Sequence, residues 1–217
     1  MIRFVSFEGG DGTGKSTQIR ALESYLIRRG RSCLVTCEPG GTSLGKLIRQ
    51  VVLEVGDHEI APSTELFLYL ADRAQHVSQV IRPAIESGQM VLCDRFTDST
   101  VAYQGYGRGI DVKILRTFNE IADGGLRPDL TFLLDCPVAL GLARTNQRRS
   151  VAGEPRQDRF EREKIEFHEK IRAGFLTMAR AEPARFRVID ATQAVEEVTR
   201  DIQKIVDEEI FKWVSQT

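Results

Sequence analysis

The chain has 217 residues, of which 41% are hydrophobic and 28% are charged, an ordinary composition for a globular protein. This length suits one α/β domain with a substantial core or two small domains. The formal net charge of -1 argues against a nucleic-acid-binding protein, which usually has an excess of basic residues, but a local cluster of arginines could still bind small phosphate ligands.

The sequence also argues against secretion and membrane insertion. Met1–Phe4 lead straight into a strand-like run, without the charged and apolar segments of a signal peptide. No stretch approaches the roughly 18 consecutive apolar residues that span a bilayer. The four cysteines lie in or beside apolar runs, without C-x-x-C spacing: Cys33, Cys37, Cys93 and Cys136. We therefore expect a cytoplasmic protein with reduced cysteines, and neither a membrane nor a nucleic acid as its partner.

Short apolar runs alternate with longer segments of helical spacing. The predicted strands are Phe4–Phe7, Cys33–Cys37, Met90–Cys93, Leu130–Leu134 and Phe186–Ile189. The predicted helices are Ser16–Arg29, Leu44–Val55, Ser63–Ser87, Val112–Ala122, Val138–Gln147, Arg159–Ala181 and Ala194–Val214. Strands with almost no internal charge suit a parallel sheet that is buried on both faces. The alternation predicts a doubly wound α/β fold that binds ligands at the carboxyl ends of its strands.

The strongest functional signal follows the first predicted strand. The segment Gly9–Ser16 matches G-x-x-x-x-G-K-[ST], between a strand-like run and an amphipathic helix. The backbone N–H groups of such a loop surround a phosphate, and the helix adds its positive end. We expect Lys15 to contact the β- and γ-phosphates and Ser16 to bind Mg²⁺. The sequence has no N-K-x-D element for guanine, which favours ATP over GTP. The predicted ATP-binding residues here are Gly9, Gly10, Asp11, Gly12, Thr13, Gly14, Lys15, Ser16 and Thr17.

Two polar residues follow the predicted third strand, at the edge of the sheet that should face this loop. Asp94 could hold Mg²⁺ through water, and Arg95 could clamp a second phosphate with its fork of donors. A surface ion pair at a strand end is the alternative. The glycine-containing segment Glu38–Thr42 follows the second strand and would bring another carboxylate to the same edge.

The segment after Arg95 has polar residues at helical spacing. Ser99 and Tyr103 are four residues apart, as are Thr100 and Gln104, so each pair would share one face of a helix. Such a face offers hydroxyl, amide and aromatic groups to one ligand, although an ordinary amphipathic helix is the alternative.

These motifs together resemble those of bacterial thymidylate kinases. The glycine loop, Glu38–Thr42, Leu68–Arg73, the Asp94-Arg95 pair and Ser99–Gln104 occur in the family's order, from Phe4 to about Thr192. The resemblance implies a three-layer P-loop nucleoside monophosphate kinase fold, with a five-stranded parallel sheet flanked by helices and a short lid. It also implies phosphorylation of dTMP to dTDP with ATP and Mg²⁺, by a homodimer.

The resemblance further implies where the acceptor binds. At the position of Tyr69 the family usually has Phe, which stacks on thymine. The tyrosine keeps the π-face but adds a hydroxyl that needs a hydrogen-bond partner. Packing of Tyr69 in the core is the alternative. Arg73 matches the contact to the 4-oxo group, since an all-donor side chain suits a carbonyl and rejects the amino group of cytosine. Arg95 matches the phosphate clamp, and Tyr103 an aromatic that favours deoxyribose. The implied dTMP-binding residues are Glu38, Pro39, Tyr69, Arg73, Arg95, Ser99, Thr100, Tyr103 and Gln104.

A cluster of arginines predicts cations that arrive when the site closes. Such cations are needed because phosphoryl transfer spreads negative charge over the moving group. The arginines are Arg144, Arg148, Arg149, Arg156, Arg159 and Arg162. Some thymidylate kinases have an arginine where this chain has Gly12, and the chain resembles the variant with lid arginines. We expect Arg148 and Arg149 to close on the phosphates and Arg144 to contact adenine or phosphate. The polar segment Arg148–Arg156 is predicted to be a mobile loop, with the lid at about 148–157 of one domain spanning 1–217; a solvated charged face is the alternative.

Asp11 lies within the glycine loop, and the resemblance implies that it positions the acceptor or Mg²⁺, with a plain turn-forming role as the alternative. The predicted catalytic residues are Lys15, Asp11, Asp94, Arg95, Arg148 and Arg149, and the predicted metal ligands are Ser16 and Asp94. The histidines have no metal-site spacing and are predicted to be structural or surface residues: His58, His76 and His168. A kinase for another pyrimidine nucleotide or deoxynucleoside, and a nucleotide-dependent switch, remain open.

Overall fold

One parallel sheet organises the chain. The computed structural model describes residues 2–54, 59–152 and 158–211. Its strands are β1 (Phe4–Glu8), β2 (Cys33–Cys37), β3 (Met90–Asp94), β4 (Leu130–Asp135) and β5 (Phe186–Asp190). All pair in parallel, in the order β2-β3-β1-β4-β5. The five predicted strands are confirmed, and β1, β3, β4 and β5 each extend one residue further, to an acidic residue at the carboxyl edge.

The helices cover both faces of this sheet. They are α1 (Lys15–Arg28), α2 (Ser43–Leu53), α3 (Pro62–His76), α4 (Arg82–Glu86), α5 (Thr97–Thr100), α6 (Val112–Asp123), α7 (Val138–Ala152), α8 (Ile165–Ala181) and α9 (Val195–Val206). Three π-helical segments continue them: Val77–Ile81 joins α3 to α4, Val101–Gly107 extends α5, and Asp207–Phe211 extends α9. Within the described ranges, every helix is too short or too polar to cross a membrane.

Successive side chains of β1 point to opposite faces of the sheet, so the sheet is the middle layer between two layers of helices. Val5 and Phe7 are buried against α1 and α9, together with residues such as Leu22 and Ile202. Phe4 is buried on the other face, where it packs with Val77–Ile81. Apolar side chains on both faces exclude water from the sheet, as a central parallel strand requires. The predicted three-layer α/β fold is confirmed.

Two predictions near the lid were wrong. The segment Arg148–Arg156 was expected to be a loop, but α7 continues through Ala152, and residues 153–157 lie outside the described ranges. The helix expected from Arg159 begins only at Ile165. The Asp158 carboxylate accepts hydrogen bonds from the backbone N–H groups of Phe160 and Glu161, at 2.9 Å each. This local competition holds the chain in a turn before α8.

The other helix predictions differ only at their ends. Residues Ser63–Ser87 are almost wholly helical, although the helix has wider turns at Val77–Ile81. The carboxyl ends predicted for the second and last helices, Val55 and residues 212–214, lie outside the described ranges, as does His58.

Candidate active site

The glycine loop begins where β1 ends and packs closely against neighbouring backbone. Gly9, Gly12 and Gly14 have φ angles of 132°, 70° and 93°, a region that L side chains rarely adopt. A Cβ at Gly12 would also collide with the carbonyl of Gly141 in α7. Glycine at these positions therefore lets the loop turn back toward the start of α1, whose first residue is Lys15.

The Lys15 ammonium lies inside this loop. Its Nζ donates to the carbonyls of Gly9 at 3.1 Å and Gly10 at 2.8 Å. Burial and the nearby Arg95 guanidinium lower the pKa of Lys15 to about 8, although Asp94 opposes the shift. A cation desolvated in this way interacts strongly with an arriving phosphate, because little water remains to screen it.

Ser16, in the first turn of α1, meets Asp94, the last residue of β3. The Ser16 hydroxyl donates to Asp94 Oδ2 at 2.8 Å. A hydroxyl and a carboxylate oxygen are donors that suit Mg²⁺, which commonly takes one or two protein ligands and completes its shell with water and phosphate oxygens. The two predicted metal ligands are therefore adjacent in space as well as chemically suitable.

Arg95 joins the glycine loop to the next helix. Its Nη1 donates to the Gly9 carbonyl at 2.9 Å and to Ser99 Oγ at 3.2 Å, and its Nη2 donates to Asp11 Oδ1 at 2.8 Å. The guanidinium also lies over the Tyr103 ring, 5.0 Å from its centroid. Arg95 has a φ of 69°, so its backbone occupies the left-handed region that is uncommon for non-glycine residues and often marks a functional site.

Asp11 stays charged despite its enclosure. Burial acts to raise the pKa of its carboxyl, but Arg95 and Lys15 outweigh burial and hold the pKa below its usual value. The loop thus presents one carboxylate between two cations.

Glu8, the last residue of β1, was not among the predicted site residues. Its carboxyl is fully buried and accepts hydrogen bonds from the Phe96 N–H at 2.8 Å and the Ser99 hydroxyl at 2.6 Å. Burial and the nearby Asp98 raise the pKa of Glu8 to about 8. The signal was present in the sequence, since Glu8 ends an apolar run in the same way as Asp94.

A cavity opens beside Arg95, with about 610 Å³ of empty space when the solvent at its mouth is included. All nine residues predicted to bind the acceptor line it: Glu38, Pro39, Tyr69, Arg73, Arg95, Ser99, Thr100, Tyr103 and Gln104. It is also lined by residues that were not predicted to bind the acceptor: Asp11, Arg49, Leu53, Phe96, Asp158 and Phe160. We refer to this space as the acceptor cavity.

Arg73 is fixed at the base of the acceptor cavity. Its Nε donates to Glu38 Oε2 at 2.9 Å, and its Nη1 donates to Thr100 Oγ1 at 2.9 Å and Asn119 Oδ1 at 2.6 Å. Glu38 is held from its other oxygen by His76 Nδ1 at 2.9 Å. Within the described ranges Arg73 Nη2 has no hydrogen-bond partner, so this nitrogen remains available to a ligand. Asn119 was missed as a support because it lies on another helix, α6, and His76 was missed because its partner Glu38 lies 38 positions earlier in the chain, after β2.

Aromatic rings form the opposite wall. Tyr103 meets Phe160 edge-on with centroids 5.4 Å apart, and Tyr69 lies 6.5 Å from Phe160. Among the described residues the Tyr69 hydroxyl has no hydrogen-bond partner, so the partner expected for it is not supplied there. Gln104 lines the cavity while its Nε2 donates to Glu65 Oε1 at 2.8 Å.

A larger cleft lies above the glycine loop and α1, with about 1300 Å³ of empty space when the solvent at its mouth is included. Lys15, Ser16, Asp94 and Arg148 line it. Asp11, Glu38, Arg49, Arg95 and Asp158 line both the cleft and the acceptor cavity. The two spaces therefore meet at the Arg95 guanidinium.

The lid arginines differ in their surroundings. Arg148 is exposed and lines the cleft. The Arg149 side chain is only 11% exposed and forms an ion pair with Glu161, which lines the cleft, whereas Arg149 itself does not line it. Arg144 Nη1 donates to the Ala191 carbonyl at 2.7 Å, which places Arg144 beside the loop that follows β5.

Comparisons with known proteins agree with this geometry. Residues 7–202 match the family model described as Thymidylate kinase. The chain is 52% identical over 205 residues to a thymidylate kinase of Desulfovibrio desulfuricans, covering 94% of each chain. It is 51% identical over 193 residues to that of Geobacter sulfurreducens, covering 89% of this chain and 91% of the relative. A crystal structure of thymidylate kinase from Ehrlichia chaffeensis superposes with a TM-score of 0.73 at 30% identity, covering 94% of this chain and 97% of that one.

Proposed function

Because the chain belongs to the thymidylate kinase family, we propose that it transfers the γ-phosphoryl group of ATP to dTMP, giving dTDP and ADP. The observation that carries this proposal is the position of Arg95 between two cavities, in contact with the glycine loop through Gly9 and with the acceptor cavity through Ser99. A kinase that joins two nucleotides needs such a cation where their phosphates meet.

ATP is assigned to the cleft, with its phosphates on the amides of Gly9–Thr17 and on Lys15. In this placement the Lys15 ammonium exchanges its two carbonyl contacts for the β- and γ-phosphates. Ser16 and Asp94 are the residues that would hold Mg²⁺, which neutralises phosphate charge when bound. Arg144, beside the loop after β5, is assigned to the adenine end of the cleft.

The acceptor dTMP is assigned to the second cavity. Its phosphate is placed on Arg95, and its base between Tyr69 and Arg73, whose unpartnered Nη2 would donate to the 4-oxo group. Thymine suits this nitrogen, because cytosine would present an amino group to a donor and leave both unsatisfied. Tyr103 is placed against the sugar.

The chemistry needs no covalent enzyme intermediate. An oxygen of the dTMP phosphate attacks the γ-phosphorus of ATP, the bond from that phosphorus to the β–γ bridging oxygen breaks, and ADP leaves with the bonding electrons. A dianionic acceptor oxygen has no proton to lose, so positioning and charge neutralisation supply the rate. Lys15, Arg95 and Arg148 are the cations placed around the transferring group, and Asp11 orients Arg95.

We also propose that the protein is a cytoplasmic homodimer whose substrates are nucleotides. An apolar surface is exposed on α2, α3 and α6, formed by Leu44, Leu47, Val51, Phe67, Ile114 and Ile121. Contiguous exposed apolar residues of this kind are typical of protein interfaces. The change Leu47→Asp is expected to convert a dimer to a monomer in size-exclusion chromatography with light scattering, and an unchanged mass would contradict this surface as the interface.

A coupled assay of ADP release tests the function. Magnesium ATP is supplied with dTMP, dUMP, dCMP, UMP, AMP or thymidine, and dTMP is expected to give the highest kcat/KM. Preference for another pyrimidine nucleotide or for thymidine would favour the first alternative. Slow hydrolysis without phosphorylation of any acceptor would favour a nucleotide switch and defeat the proposal.

A further inference from the structure

Glu65 of α3 is a fully buried carboxylate that accepts donors from two other parts of the chain. Gln104 Nε2 donates to its Oε1 at 2.8 Å. Arg108 Nη2 lies 3.3 Å from Oε2, and Arg159 Nη2 donates to the same oxygen at 2.5 Å. Glu65 thus joins α3 to the end of the helix that follows Arg95 and to the turn before α8.

The two guanidiniums that Glu65 holds lie close to Phe160. Arg159 is 4.8 Å and Arg108 is 5.5 Å from the centroid of the Phe160 ring. Phe160 in turn lines the acceptor cavity and meets Tyr103. Each of these cations contributes cation–π attraction to the ring only while it stays in place.

Arg159 also fastens the turn to the end of α2. Its backbone N–H donates to the Leu53 carbonyl at 3.2 Å, and its Nε donates to the Val52 carbonyl at 3.1 Å. Neighbouring Asp158 lines both the acceptor cavity and the ATP cleft. The Phe160 ring lines the acceptor cavity but not the cleft, so the position of this turn sets one wall of the acceptor cavity.

We propose that Glu65 is a positioning residue for the acceptor site, acting through Arg159 and Phe160. Its buried carboxylate pairs with two half-buried guanidiniums, of which Arg108 also pairs with Glu163. Glu65 thus holds the turn that carries Phe160 at a fixed distance from the helix that carries Tyr69 and Arg73. Without that charge the Arg159 guanidinium loses the carboxylate it pairs with, and the Phe160 wall withdraws from the base. This inference rests on the assignment of dTMP to the acceptor cavity.

The test is Glu65→Gln, which keeps the size of the side chain and removes its charge. We expect KM for dTMP to rise at least tenfold and KM for ATP to change less than threefold, because the glycine loop does not contact Glu65. The matched control is Glu120→Gln, which removes an exposed carboxylate paired with Arg127 and should change neither KM. A role confined to stability would lower the melting temperature of Glu65→Gln without separating the two KM values.

A double variant tests the route through Phe160. If Glu65 acts through this ring, Glu65→Gln combined with Phe160→Ala should raise KM for dTMP no further than Phe160→Ala alone. If Glu65→Gln does not fold, Arg159→Lys takes its place: it keeps the charge but loses the fork that binds Glu65 and Val52, and the same selective rise in KM for dTMP is expected. Additive effects, or a KM for dTMP within threefold of wild type in the folded variant, would overturn the inference. Wild-type protein inactive on dTMP would instead overturn the proposed function.

Discussion

Replacing Arg73 by methionine separates recognition of the base from the rest of the reaction. The substitution keeps most of the length of the side chain but removes three hydrogen bonds, to Glu38, Thr100 and Asn119. It also leaves the Glu38 carboxylate buried beside His76 without its guanidinium. Removing one partner of a buried ion pair commonly costs about 3–5 kcal/mol, so we expect a loss of stability of that order in urea unfolding.

The kinetic effect has a different origin. A hydrogen bond to a charged donor contributes about 1.5–3 kcal/mol, which corresponds to a rise of about 10- to 150-fold in KM for dTMP. KM for ATP should change little, because Arg73 lines only the acceptor cavity. Arg127→Met is the control: this side chain is 60% exposed and paired with exposed Glu120, so its loss should change stability by about 0.5 kcal/mol or less.

Adding Glu38→Gln to Arg73→Met distinguishes the two effects. The second change removes the stranded charge, so part of the stability should return while KM for dTMP stays high. Equal increases in KM for dTMP and ATP, or a normal KM for dTMP in the double variant, would refute the role of Arg73 in reading the base.

Four other substitutions test neighbouring parts of the site. Arg95→Ala should raise KM for dTMP at least tenfold in steady-state assays, and an unchanged KM would remove its role as the phosphate clamp. Arg148→Ala should lower kcat by about 100-fold, as for loss of a transition-state cation, whereas Arg149→Ala should mainly lower the melting temperature; the reverse order would contradict the assignment. Glu8→Gln should flatten the pH dependence of unfolding free energy between about pH 4.5 and 8. Raising the folded-state pKa makes wild type lose stability as pH rises through this window, so an unchanged slope would show that Glu8 does not cause it.

The acidic ends of the strands show how far local patterns reach. Apolar runs with at most one internal charge located all five strands, yet four of the runs stopped one residue before Glu8, Asp94, Asp135 and Asp190. The backbone of these four residues continues the strands, and their carboxylate oxygens accept hydrogen bonds at the carboxyl edge of the sheet. Asp135, for example, is paired with Arg172 at 2.7 Å. Each of these four strands was predicted to end before its acidic residue, but a polar group at this edge of the sheet is stable where a hydrogen-bond donor reaches it.

Near the lid, composition and spacing predicted the wrong secondary structure. Composition made Arg148–Arg156 resemble a loop, although helical hydrogen bonds continue to Ala152. Conversely, helical spacing extended α8 backward to Arg159, where the Asp158 carboxylate and the Leu53 carbonyl take the backbone N–H groups instead. Secondary structure at both places depends on which partners the backbone finds.

The sequence by itself determined the phosphate loop and the five strands, because each depends on groups close together in the chain. The residues predicted to bind the acceptor came from the resemblance to thymidylate kinases. Only the tertiary structure decided that Glu8 supports Ser99, that Asn119 and His76 hold Arg73 and Glu38, and that Arg148 lines the cleft while Arg149 does not. Glu65 and Arg159 are in contact although they are 94 positions apart in the sequence. Such contacts arise from how the helices pack on the sheet, and local spacing does not encode them.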